Sequence, residues 1–144
     1  NRIRKVIIRF IHNNRSKIQN LGVKFTIVNK NKFLEYYLKF LQIASDISER
    51  VYVINIAPTN NKTESHYPGF TNNINLYNEQ ISKAINIINK SNVILIDINS
   101  IISKNKRMIN ELVNPEDGHH ITPLTHELIL DAIIQHEKRY FKEF

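Results

Sequence analysis

Short runs of Val and Ile divide the chain. Three such runs cover residues 5–11, 51–58 and 93–101. Each run is almost continuously apolar and rich in β-branched side chains, which favours strands buried on both faces. The run at 51–58 ends at Pro58, a residue that cannot continue a sheet ladder. The sequence therefore predicts three buried strands.

The segments between and after these runs have helical periodicity. Apolar side chains recur at spacings of three and four residues in segments 31–47, 78–90 and 124–141. Thr122 is a good N-cap for the last helix, and Pro123 suits its first position. Segment 59–73 has the composition of a loop, and segment 12–31 has the weakest pattern, with a small hairpin expected around 23–28.

Strands that alternate with helices of this length predict crossover connections and a mostly parallel sheet. We therefore expect residues 1–144 to form a single α/β domain in which helices flank the sheet. Ligands of such sheets bind at the carboxyl ends of the strands.

Composition excludes several classes of site. The chain of 144 residues has no cysteine, so disulfides and cysteine-based zinc sites are absent. No apolar run approaches the roughly 20 residues that a membrane-spanning helix requires, so no membrane span is expected.

Positive charge is concentrated near the N-terminus. Residues 1–50 contain 11 Lys and Arg against 3 Asp and Glu, whereas residues 51–144 contain 9 against 10. Such a basic region can attract nucleic acid, an anionic membrane surface or an acidic glycan, or it can be a solvated face without a partner, which is the interpretation we favour. Zinc-finger spacing, RNP aromatic motifs and GXXG clamps are missing, so we expect no nucleic-acid partner.

The main candidate for chemistry is the segment 114-NPEDGHHITP-123. Asp117 and His120 are three residues apart, and Gly118 between them permits a tight turn. A carboxylate at this spacing can accept a hydrogen bond from the imidazole Nδ1–H, which fixes the tautomer and supports the charged ring. Two other interpretations remain open: a polar surface turn, and a metal site formed by Asp117, His119 and His120.

The segment 117-DGHHITPLTHELIL-130 resembles the last conserved block of the SGNH (GDSL-type) hydrolases. Asp117 and His120 match that family's catalytic Asp and His, and Thr122 and His126 match its later Thr and His. Thr125 departs from the usual glycine. Upstream, the segments 51–58, 77–85 and 93–102 resemble the family's final strands and helices in order.

The resemblance implies roles for three residues. His120 would be the general base, Asp117 would orient it, and Asn13 in 5-KVIIRFIHNN-14 would be the oxyanion-hole asparagine. At that block Ile11 and Asn14 replace the usual Gly and Asp, and Asn31 is a weaker alternative. The implied fold is a flavodoxin-like three-layer sandwich, which we expect to be incomplete at the N-terminal side.

The resemblance does not identify the nucleophile within the chain. None of the eight serines follows a strand in a GDS context; Ser100 and Ser16 are the nearest candidates. We therefore expect the nucleophilic serine to lie in an N-terminal segment outside these residues, or on a second polypeptide, or the protein to be an inactive relative.

The function implied is serine-dependent acyl transfer on an ester, by an esterase, a deacetylase or an O-acetyltransferase that acts on a carbohydrate. It needs no metal or organic cofactor, and an acidic polysaccharide would suit the basic N-terminal third. Two alternatives remain: a non-catalytic basic module that binds nucleic acid or acidic glycan, and a metal-dependent phosphoesterase built on the Asp/His cluster.

Overall fold

The computed structural model describes residues 2–14, 17, 28–105 and 107–141, without the side chains of residues 12 and 13. The elements in this part of the chain are, in order, α1 (Arg2–Asn13), α2 (Lys30–Ile47), β1 (Val51–Ile54), α3 (Asn61–His66), α4 (Phe70–Ile88), β2 (Val93–Ile96), α5 (Ile98–Lys104), α6 (Ile109–Leu112) and α7 (Pro123–Tyr140). The fold is helix-rich with a small sheet.

The sheet of the described residues contains two parallel strands. β1 and β2 pair in a register that places Val51 opposite Val93 and Ile54 opposite Ile96. Their connection runs through α3 and α4, which is the crossover that two parallel strands require. The expected α/β class with a parallel sheet is thus confirmed at this coarse level.

Apolar side chains cover both faces of this sheet. On one face, Val53 and Val93 form a buried cluster with Leu41 of α2 and with Ile81 and Ala84 of α4. On the other face, buried residues come from β2 and from the helices that follow it: Ile96, Ile98, Ile102, Leu112 and Ile129. Burial on both faces explains why β1 and β2 have continuously apolar sequences rather than alternating ones.

The prediction of a buried strand at residues 5–11 is wrong. These residues belong to α1, and every side chain from Arg2 to Ile11 is exposed. Ile3, Val6, Ile7, Phe10 and Ile11 also recur at helical spacing. A short β-branched run fits a strand or a helix by periodicity alone. The helical spacing is clear only when the residues on either side of 5–11 are included.

The other two strands are shorter than predicted because polar residues end them. β1 stops at Ile54, before Asn55, and β2 stops at Ile96, where Asp97 becomes the N-cap of α5 and accepts hydrogen bonds from the backbone N–H groups of Asn99 and Ser100. Residues 98–101, predicted as strand, are therefore helical. Capping by a short polar side chain overrode the β-branched composition.

Part of the predicted loop at 59–73 is helical. Asn60 caps α3 by accepting hydrogen bonds from the N–H groups of Lys62 and Thr63, and α4 begins at Phe70, eight residues earlier than predicted. The hairpin expected around 23–28 lies outside the described residues except for Val28.

The helices at 31–47 and 124–141 are confirmed within a residue as α2 and α7. Thr122 is the N-cap residue of α7 and Pro123 is its first residue, as predicted. Among the described helices, none combines the length and the apolar composition needed to cross a bilayer.

Candidate active site

The candidate site lies in the loop between α6 and α7. Its two ends are joined by an antiparallel bridge between Val113 and Ile121. Inside the bridge, Asn114 N donates to the His120 carbonyl at 2.7 Å and Gly118 N donates to the Asn114 carbonyl at 2.8 Å. Five loop residues, 115–119, are therefore closed by backbone hydrogen bonds into one compact turn.

Gly118 allows this turn to close. Its φ of 78° lies in the left-handed region, and its carbonyl accepts a hydrogen bond from Asn60 N at 3.0 Å. A β-carbon at this position would overlap the side chains of Asn60 and Thr63. Both the backbone conformation and the close contact with the start of α3 therefore require glycine.

The Asp117 carboxylate organises the two histidines. Its Oδ1 atom accepts hydrogen bonds from the backbone N–H groups of His119 and His120, each at 2.9 Å. Its Oδ2 atom lies 3.0 Å from His120 Nδ1. Three nitrogen atoms of His119 and His120 thus hold one carboxylate in a single orientation.

Only one nitrogen of the His120 ring, Nδ1, has a hydrogen-bond partner among the described residues. Its Nδ1 atom lies against Asp117, whereas its side chain is 72% exposed, and Nε2 has no hydrogen-bond partner among the described residues. With Asp117 ionised, the Nδ1 position carries the proton, which leaves the Nε2 lone pair available. This arrangement can take up a proton at Nε2 and stabilise the imidazolium that results.

Hydrogen bonding keeps Asp117 ionised. The backbone N–H groups of His120 and His119 are the main cause that lowers the pKa of the Asp117 carboxyl far below its usual value, and the His120 side chain adds to this. The carboxylate is therefore a negative charge beside the imidazole at neutral pH.

Residues at the start of α3 form hydrogen bonds with the backbone of the loop. Thr63 Oγ1 donates to the Asp117 carbonyl at 3.1 Å, and the Lys62 ammonium donates to the Glu116 carbonyl. Asn60, which bonds Gly118, is buried and is also the N-cap of α3. The loop composition of segment 59–73 gives no indication of this support, although Asn60 is a good N-cap residue and is the one signal in the sequence for the start of α3.

Residues at the start of α7 hold the two ends of the loop together by hydrogen bonds to α6. Thr122 Oγ1 donates to the Glu111 carbonyl at 2.7 Å, and Thr125 Oγ1 donates to the Leu112 carbonyl at 2.6 Å. Thr125, which replaces the glycine expected from the resemblance, is fully buried and hydrogen-bonded, so it packs without an unsatisfied group. His126 Nδ1 lies 2.9 Å from the Thr122 carbonyl, a local contact within α7.

A polar pair joins the carboxyl ends of the two strands. Asn55 Nδ2 donates to Asp97 Oδ1 at 2.8 Å, and Asn55 Oδ1 accepts from Ile98 N at 2.8 Å. Burial opposes ionisation of Asp97, but hydrogen bonds from Ser100 and Asn55 outweigh it and lower the pKa of this carboxyl. The pair lines a cleft of about 700 Å³ at this edge, together with side chains of α4 and Asn99.

The oxyanion-hole candidates do not sit at strand ends. Asn13 is the last residue of α1 rather than the end of a strand, and its side chain lies outside the described residues. Asn31 lies in the first turn of α2, where its N–H donates to the Asn29 side chain. The role of Asn13 in an oxyanion hole stays a prediction.

No serine reaches His120 among the described residues. Ser100 Oγ donates to Asp97 Oδ2 at 2.6 Å and belongs to the cap of α5. Ser16 lies outside the described residues. In the described part of the chain, the His120 ring has a hydrogen bond to Asp117 and a ring contact with His119.

The same loop contains a possible set of metal ligands. One ligand atom from each of Asp117, His119 and His120 lies within 4.8 Å of the others. However, the Nδ1 atoms of His119 and His120 face the carbonyl and the carboxylate of Asp117 at 3.1 and 3.0 Å. The Nε2 atom of each ring is therefore the one left for a metal ion, and the contacts at Nδ1 orient the two imidazoles in either type of site.

Comparisons with family models, curated proteins and solved structures found no match to this chain.

Proposed function

We propose that residues 113–126 form the acid–base part of a serine-type acyl-transfer site, in a protein related to the SGNH hydrolases. The observation that carries this proposal is the 3.0 Å contact between Asp117 Oδ2 and His120 Nδ1, with Asp117 Oδ1 held by two backbone N–H groups. Asp117 thus engages Nδ1 of His120, and Nε2 of the same ring is left for the reaction.

The proposed fold is the flavodoxin-like sandwich of that family. Two parallel strands covered by helices on both faces support it, since they correspond to the last part of such a sheet. In this fold the loop with Asp117 belongs at the carboxyl edge of the sheet. The bond between Asn60, six residues after β1, and Gly118 supports that position.

The reaction begins at His120. Nε2 takes the proton of a serine hydroxyl as its Oγ forms a bond to the ester carbonyl carbon, and Asp117 stabilises the imidazolium. When the tetrahedral intermediate collapses, the ester C–O bond breaks and Nε2 returns the proton to the leaving alcohol. Water, or the hydroxyl of a sugar acceptor, then attacks the acyl-serine by the same route.

The nucleophilic serine belongs to a segment outside residues 1–144 or to a second polypeptide. The proposal is supported by the exposure of His120 and by the engagement of Ser100 in the cap of α5. An imidazole whose Nε2 has no partner in the described residues is suited to receive a hydroxyl from another segment.

A carbohydrate ester is the substrate that we favour. Half of the residues that line the cleft at the carboxyl ends of β1 and β2 are asparagines. The side chains of Asn75, Asn86 and Ser82 there can both donate to and accept from sugar hydroxyls. Its charged lining groups include both signs, so the cleft itself does not select for an acidic glycan.

A metal-dependent phosphoesterase is the second candidate. The cluster of Asp117, His119 and His120 favours it, because a cation there would bind phosphate oxygens. The two functions differ in their nucleophile: the dyad needs a serine, whereas the metal site needs an activated water.

Labelling with a fluorophosphonate tests the proposal. Such a probe forms a covalent bond only with an activated serine, and mass spectrometry of the labelled full-length protein locates it. We expect one labelled serine, with labelling lost in His120→Ala and retained in His119→Ala. A protein that hydrolyses esters without any labelled serine would contradict the proposal.

A further inference from the structure

The first helix has an apolar face that is exposed along its whole length. Relative exposure of the five side chains on this face runs from 38% for Ile11 to 77% for Ile3. At 3.6 residues per turn, these five side chains fall on one continuous face: Ile3, Val6, Ile7, Phe10 and Ile11. Exposed apolar patches of this kind mark interaction surfaces.

Basic side chains surround this face. Lys5 and Arg9 occupy the opposite side of α1, together with Ile8. Arg2 and Arg4 lie at the two borders of the apolar face, and the helix contains no acidic residue. Long basic side chains at such borders can lay their methylene groups along the apolar surface while the charge stays in water. This part of the chain also holds the excess positive charge noted above.

We propose that α1 lies in the surface of an anionic lipid bilayer, with its apolar face among the acyl chains and its basic side chains at the headgroups. A helix with a strong apolar face, basic residues on the polar face and low overall hydrophobicity has the features of an interfacial helix. Its 12 residues span only about 18 Å, shorter than the roughly 30 Å hydrocarbon core, so it lies along the surface.

The charge pattern selects a lipid surface over an apolar protein groove. A neutral groove would cover the apolar face but would gain nothing from the four cations, which would stay in water, whereas anionic headgroups attract all four. Attraction to such headgroups is worth about 1 kcal/mol per Lys or Arg, which corresponds to about fivefold in affinity. This proposal does not depend on the function proposed for Asp117 and His120.

A co-sedimentation experiment measures the interaction. The full chain is mixed with vesicles of phosphatidylcholine alone and with vesicles that also contain 30% phosphatidylglycerol. We expect binding to the anionic vesicles only, weakened at 0.5 M NaCl because salt screens the charges. The triple variant Arg2→Gln, Lys5→Gln, Arg9→Gln should lower the affinity by about 100-fold.

The apolar contribution has its own pair of variants. Ile7→Gln with Phe10→Gln should lower vesicle affinity at least about tenfold, whereas Phe40→Gln with Ile87→Gln, at exposed apolar residues of α2 and α4, should leave it unchanged. Circular dichroism checks that each variant is folded. Binding that survives the α1 changes, or falls equally with the control changes, would overturn the proposal.

A fluorescence measurement gives a result that does not rely on loss of binding. The chain has no tryptophan, so Phe10→Trp introduces a single reporter on the apolar face of α1. Its emission should shift to the blue on anionic vesicles, and the emission of Phe40→Trp should not. An unshifted spectrum for Phe10→Trp on vesicles that retain the protein would show that another surface binds them, which also overturns the proposal.

Discussion

Asp117 Oδ2 lies 3.0 Å from His120 Nδ1, and the backbone between these two residues is folded by Gly118 in the left-handed conformation. The dyad is thus built from four consecutive residues, without a contribution from distant side chains to the contact itself. Distant residues, mainly Asn60 and Thr63 of the β1–α3 segment, instead support the backbone that carries it.

Gly118→Ala should destabilise the protein more than Gly69→Ala does. Both glycines have positive φ, but a β-carbon at Gly69 would have no atom within 4 Å, whereas one at Gly118 would overlap Asn60 and Thr63. We expect a loss in unfolding free energy of about 1 kcal/mol for Gly69→Ala, from backbone strain. Gly118→Ala should lose about 1–3 kcal/mol more, from overlap. Urea denaturation measures both, and equal losses would show that the loop moves aside freely.

Stability should fall in acid through Asp117. Its pKa is lower in the folded than in the unfolded protein, so its stabilising contribution is present above the unfolded value near pH 4 and is lost as pH falls toward the folded value. Comparing urea denaturation of wild type with that of Asp117→Asn between pH 7 and pH 2.5 measures this. The difference between the two proteins should shrink as pH falls, and a constant difference would show that ionisation of Asp117 does not matter.

Asn55→Asp should be destabilising in a pH-dependent way. It replaces the donor to Asp97 by a carboxylate, so that two negative charges would lie at the 2.8 Å contact. We expect a loss of about 2 kcal/mol or more at pH 7, and a smaller loss near pH 4, where one of the two carboxyls is protonated. Asn55→Ala is the control: it removes the donor without adding a charge, so its loss should change less over this range than that of Asn55→Asp.

Ester hydrolysis by the full-length protein should survive chelation. The dyad uses Asp117 Oδ2 and His120 Nδ1 for its own hydrogen bond and needs no cation. After dialysis against EDTA, the rate on p-nitrophenyl acetate should be unchanged, and added Zn²⁺ or Mn²⁺ should not increase it. A rate abolished by EDTA and restored by metal would instead favour the phosphoesterase-type site.

The dyad could be predicted from sequence because all of its determinants are local. Asp117, Gly118 and His120 lie within four consecutive residues. Thr122 and Pro123, which signal the start of α7, are adjacent to each other. Periodicity over 17–18 residues likewise sufficed for α2 and α7. Long or local patterns of this kind hardly depend on tertiary context.

The elements that depended on context were predicted less well. Residues 5–11 fit a strand as well as a helix by composition, and only the neighbouring positions 2–4 and the absence of a strand partner among the described residues distinguish the two. The end of β2 has a local cause, the N-cap Asp97, but the end of β1 depends on the hydrogen bond of Asn55 to Asp97, 42 residues away. Such a long-range pair leaves no periodic signal.

The function of His120 is the central claim, and a comparison of the two adjacent histidines tests it most directly. The measurement is kcat/KM for p-nitrophenyl acetate with the full-length protein, its His120→Ala variant and its His119→Ala variant. General-base catalysis contributes about 10²–10⁴-fold, so His120→Ala should lose at least about 100-fold. His119→Ala, which removes the less exposed neighbouring ring from the same turn but leaves the Asp117–His120 contact, should lose less than about fivefold. Full activity in His120→Ala, or equal losses in the two variants, would contradict the account.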